Sequence, residues 1–68
     1  MLNVALVKKR MSELGLTQAD VAKALSVAQP TANQKINRVR PMSLDEAENL
    51  ATLLKIESEE FGQYFFAQ

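Results

Sequence analysis

The residues that could do chemistry here are amides. Gln29, Asn33 and Gln34 fall within six residues, and a helical reading of that stretch turns all three outward while Ala32 and Ile36 point inward. An exposed Gln or Asn on a short helix can pair two-pronged with the edge of an adenine in a major groove. Gln18 lies on the preceding helical stretch, Thr17 to Leu25. Conventional catalytic groups are scarce. The chain has no cysteine and no histidine, so disulfides, the common zinc sites and histidine general bases are excluded. Its carboxylates lie on the outer faces of amphipathic helices. No paired acid and base and no activated nucleophile can be assembled from them, and no enzyme or cofactor is expected.

The elements that must position these amides can be read from caps and spacing. A first helix spans about Asn3 to Leu14, with Val4, Val7, Met11 and Leu14 as one stripe and Gly15 as its stop. Thr17 with Asp20 forms a capping box for a second helix over 18–25, whose inner face is Val21, Ala22 and Leu25. After the turn Leu25-Ser26-Val27, a third helix covers 29–37, with Pro30 in the first turn, where no N–H is needed. Pro41 breaks the chain. Ser43 and Glu46 make a second capping box for a fourth helix through about Lys55, with Leu44, Ala47, Leu50, Ala51 and Leu54 on its apolar face. Ser58 caps a last short helix containing Phe61, Tyr64, Phe65 and Phe66. The expectation is an all-α fold, a compact five-helix bundle forming a single domain over 1–68.

Charge is segregated along the chain. Residues 1–40 hold seven bases and two acids, a balance of +5, and residues 41–68 hold one base and six acids, a balance of −5. The net charge is zero, yet a polyanion would be drawn to one half and repelled by the other. The basic cluster Lys8-Lys9-Arg10 follows the N-terminal apolar residues, the reverse of a signal peptide, and no apolar run reaches the roughly 20 residues of a membrane span. A cytoplasmic protein without a membrane partner is expected. A 68-residue chain buries only about 60% of the surface its unfolded form exposes, so a partner subunit would help it.

The segment TQADVAKALSVAQPTANQKINR, Thr17 to Arg38, resembles the helix-turn-helix of the phage repressor and Cro family, and the likeness runs from about Val7 to about Phe66. It rests on Gln18 at the start of the motif's first helix, Ala22 at the helix crossing, Leu25 and Val27 about the turn, Gln29-Pro30-Thr31 opening the recognition helix, and Arg40-Pro41-Met42-Ser43-Leu44 before the fourth helix. Two positions depart from the family pattern. Ser26 replaces the usual Gly, at a cost of roughly 1 kcal/mol if it turns left-handed. Lys35 replaces a bulky apolar residue whose packing Ile36 can take over.

The resemblance implies a lambda-repressor-like domain that binds double-stranded DNA as a homodimer and regulates transcription, on the scale of a small Cro-like regulator. It implies that Gln29 reads a base while Gln18 touches a phosphate and braces it. Gln34 and Asn33 are further candidates for base reading, and Ala28 and Pro30 could meet a thymine methyl. Thr31, Lys35, Asn37, Arg38 and Arg40 are candidates for phosphate contact. The Lys8-Lys9-Arg10 cluster reads as a solvated face. Phe61, Tyr64, Phe65 and Phe66 are four aromatics within six residues. They either complete the core or form an apolar dimer patch. An alternative partner is a larger repressor, bound through the acidic half and the aromatics.

Overall fold

The computed structural model describes residues 2–66, and among them are five α-helices, one 3₁₀ turn and no strand. The expected domain limits, residues 1 and 68, lie outside the described residues. Helix α1 spans Val4–Leu14, α2 Gln18–Leu25, α3 Gln29–Ile36, α4 Leu44–Leu53 and α5 Phe61–Phe65, the last led in by the 3₁₀ turn Ser58–Glu60. No described helix is long and apolar enough to cross a membrane.

Side chains set the starts of three helices. The Asn3 carboxamide accepts the Leu6 N–H ahead of α1, and Thr17–Asp20 and Ser43–Glu46 form reciprocal capping boxes at α2 and α4. Helix α3 has no side-chain cap: Ala28 is its N-cap, and Pro30 occupies the first turn. The expected cap Ser58 instead begins the 3₁₀ turn, since the Glu60 carboxylate takes the Glu57 N–H.

Helices α1 to α4 stop by one device. A left-handed residue follows each helix: Gly15 (φ 68°) and Ser26 (φ 57°) directly after α1 and α2, and Arg38 (φ 64°) and Lys55 (φ 55°) one residue further on, after Asn37 and Leu54. The next residue is apolar and its N–H donates back into the last turn: Leu16 to Met11, Val27 to Ala22, Val39 to Gln34 and Ile56 to Ala51. This double turn satisfies carbonyls that the helix end would otherwise orphan. Leu16, Val27 and Ile56 then pack against the core, whereas Val39 does not.

The core is centred on Val7, Val21, Ile36, Leu50 and Leu54, all fully buried. Helix α2 packs against both α3 and α4, and the buried Ala22, Ala32, Ala47 and Ala51 are small enough to let helices approach closely. Ile36 does the packing expected of it. Leu44, expected on the buried face of α4, is 65% exposed, because the first residue of that helix overhangs the core. Backbone and side chains also join distant segments. The Asn3 N–H donates to the Tyr64 carbonyl at 2.7 Å, and Arg10 Nε donates to the Leu54 carbonyl at 2.8 Å. Arg10 thus serves the C-terminal end of α4 rather than facing solvent alone.

Candidate nucleic-acid interface

The start of α3 stands open at the surface. Ala28, Gln29, Pro30 and Asn33 are exposed, Thr31 and Gln34 half-buried. Their arrangement follows from helical geometry: Gln29, Asn33 and Asn37 recur every four residues and share one stripe, and Pro30 and Gln34 form the next. Gln18, from the start of α2, joins Gln29, Pro30 and Asn33 around a hollow of about 520 Å3. The sequence places these residues on two helices, and the tight turn on Ser26 brings them together. Gln18 Oε1 is buried and accepts no hydrogen bond among the described residues, so a polar partner in the hollow would satisfy it.

Beyond α3 the amides are engaged. Lys8 Nζ on α1 donates to Asn37 Oδ1 at 2.8 Å. Asn37 Nδ2 donates in turn to the Asn33 carbonyl and to Asn33 Oδ1, each at 2.9 Å. Lys8 was expected to be simply solvated; nothing in the local sequence announces a partner 29 positions away. The four-residue spacing of Asn33 and Asn37 was the one available hint of their pairing.

Lys35 is the clearest departure from expectation. Its ammonium donates to Glu46 Oε1 at 2.8 Å and to the Pro41 carbonyl at 3.3 Å, and both charged side chains are mostly covered. The same Glu46 oxygen accepts the Ser43 N–H at 2.9 Å. These bonds hold the Glu46 carboxyl below its ordinary value, the Lys35 bond foremost and the Ser43 N–H next. Lys35 thus clamps α3 to α4, with its charge directed at the nearest carboxylate. Arg38 and Arg40 are exposed on the segment leaving α3, with both backbones tied to the last turn of α3 through Arg38 N–H to the Lys35 carbonyl and Arg40 N–H to the Gln34 carbonyl.

The aromatic tail divides. Tyr64 and Phe65 are buried in the core cluster, and Phe65 also forms part of the wall of a surface groove. Helical register turns both inward, toward the side of α5 that packs on α1. Phe61 is half-buried and stacks on Phe65 with ring centroids 4.5 Å apart. Phe66, past the end of the helix, stays 63% exposed. With Val39 and Leu44 it completes the set of exposed large apolar side chains among the described residues, and all three line one groove of about 580 Å3 between α4, α5 and the segment after α3.

No curated relative and no solved structure matches the chain. A family model does: the helix-turn-helix model matches residues 6–61, which takes in all but the first two residues of α1, the whole of α2 to α4, and the first residue of α5. With α2 and α3 joined by a tight left-handed turn and α3 open to the surface, the chain belongs to the Cro/C1-type helix-turn-helix family of DNA-binding transcription regulators.

Proposed function

We propose that the chain is a sequence-specific regulator of the Cro-like phage or prophage kind, a repressor acting on a palindromic operator as a homodimer. The observation that carries this reading is the hollow in which Gln18 and Gln29 meet at the open start of α3, the helix end that enters a major groove in such motifs. Gln29 is the principal base reader, with Gln34 one turn along. Ala28 and Pro30 supply apolar contact to a thymine methyl. Gln18, Thr31, Arg38 and Arg40 hold phosphates and set the register. The domain acts where the cell keeps its DNA, in the cytoplasm, as a single folding unit.

A second copy of the chain is the partner that fits the groove carrying Val39, Leu44 and Phe66. An isologous pair would match these side chains with their symmetry-related set, and to read a palindrome it must hold two recognition helices about 34 Å apart, in successive major grooves. Phe61 and Phe65 line the same groove beside Phe66, so it takes in three of the four aromatics of the tail.

Selection of bound sequences from a random duplex pool tests the reading. The expected product is a palindrome, and Gln29→Ala should weaken binding to it by about 1–3 kcal/mol while relaxing one base pair per half-site. Arg38→Ala and Arg40→Ala should weaken all duplexes alike and lower the salt slope by about one unit per lost phosphate contact. Enrichment of no sequence, together with co-purification of a larger repressor, would favour the protein-interaction alternative.

A further inference from the structure

We infer that Asn33 is a specificity-determining residue whose amide is locked with its NH2 toward the DNA, and that Lys8, on a different helix, sets that polarity. The inference rests on the DNA-binding reading above and adds the class of base recognised.

Amide orientation is ordinarily ambiguous, since the oxygen and nitrogen of an Asn side chain can exchange places. Here the neighbours leave one choice. An ammonium can only donate, so the Asn37 atom facing Lys8 Nζ at 2.8 Å must be the oxygen. A backbone carbonyl can only accept, so the Asn37 atom facing the Asn33 carbonyl at 2.9 Å must be the nitrogen. Both ends of Asn37 agree. Its NH2 also lies 2.9 Å from the Asn33 carboxamide, and the partner atom there must be Asn33 Oδ1. With its oxygen turned toward Asn37, one turn further along, Asn33 points its NH2 outward. Asn33 is exposed and lines the hollow with Gln18, Gln29 and Pro30.

The consequence for recognition is direct. An unconstrained Asn reads adenine by donating to N7 and accepting from the N6 amine. Asn33 Oδ1 already accepts from the Asn37 NH2, and that bond holds its one remaining lone pair out of the two-pronged geometry that adenine needs. Asn33 matches guanine, which presents two acceptors, and then thymine O4, and it opposes cytosine, whose groove edge is a donor. Gln29 contrasts with it on the same stripe: no hydrogen bond to another described residue fixes its amide, so it can turn to suit adenine.

The experiment is selection from a random duplex pool with the unsubstituted protein, Asn37→Asp and Lys8→Met, each checked for helicity. The expected result for the unsubstituted protein is a guanine favoured over cytosine by about tenfold at the base facing Asn33. Asn37→Asp is isosteric and leaves only acceptors facing Asn33. The Asn33 amide must then turn its NH2 inward and its oxygen outward, and the preferred base should switch to one bearing an amine, cytosine or adenine. Lys8→Met removes the orienting ammonium from an exposed site and should reduce the guanine preference without reversing it. In the free protein, scalar couplings across hydrogen bonds should link the Asn37 side-chain nitrogen to the backbone and side-chain carbonyl carbons of Asn33. An unchanged preference in both variants, with binding retained, would overturn the polarity inference alone. The new charge of Asn37→Asp should weaken binding to every duplex, so the readout is the base preference among bound sequences; a guanine-to-cytosine ratio that stays unchanged would overturn the polarity inference. Failure of the unsubstituted protein to bind any duplex would instead overturn the DNA-binding reading and this inference with it.

Discussion

After α2 the chain turns on Ser26 and sends Val27 against the core; after α3 it turns on Arg38 and leaves Val39 70% exposed. The two stops are alike in backbone conformation and in the N–H that reaches back into the helix. They differ in what fixes the chain that follows. The α2–α3 turn is held by apolar packing. The segment after α3 is held by a polar clamp, Lys35 to Glu46 and to the Pro41 carbonyl. The first anchor is insensitive to pH and salt, and it keeps the two helices of the motif in fixed relation. The second leaves an apolar residue uncovered beside a groove. One local device thus serves rigidity in one place and a surface in the other.

The largest effect should come from the clamp. Lys35→Ala strands the Glu46 carboxylate among covered groups and should cost about 2 kcal/mol in urea unfolding; a cost below about 0.5 kcal/mol would show that the segment is held by something else. Next is the pair of valines. Val27→Ala should destabilise by about 1 kcal/mol, whereas Val39→Ala should remain within about 0.5 kcal/mol while weakening self-association, read by sedimentation. Equal losses of stability would erase the difference between the two stops.

The turns themselves predict a smaller gain. Ser26→Gly and Arg38→Gly should each stabilise by about 0.5 kcal/mol, since relief of left-handed strain exceeds the added freedom of the unfolded chain. Gly15→Ala should go the other way: a Cβ there has open space around it, so the backbone at φ 68° is the whole cost. The smallest effect is the pH dependence. Because Glu46 is held below its ordinary 4.5, the unfolded chain takes up the proton first. The stabilisation is complete above that value and is lost as pH falls through the lower folded-state pKa. Acid titration of Lys35→Met, which lacks the principal cause of the shift, should show a shallower loss than the unsubstituted chain.

Helix limits were legible because caps are local. Thr17 with Asp20, Ser43 with Glu46, and Gly15 each act within a few residues, and the expected limits of α2 match the structure. The outward amides of α3 and the inward Ile36 followed from period alone. The missed features join residues far apart in sequence: Lys8 with Asn37, and Arg10 with Leu54. Lys35 and Glu46 are only 11 positions apart, but their pairing depends on how α3 and α4 pack. Composition marked the aromatic tail as important without dividing it, because burial of Tyr64 and Phe65 is set by the register of a five-residue helix.

The bond from the Asn3 N–H to the Tyr64 carbonyl brings the two ends of the described chain side by side. A short flexible peptide can close that gap into a ring without bending either helix. Ring closure would restrict the unfolded chain far more than the folded one, and the entropy so removed would raise the melting temperature.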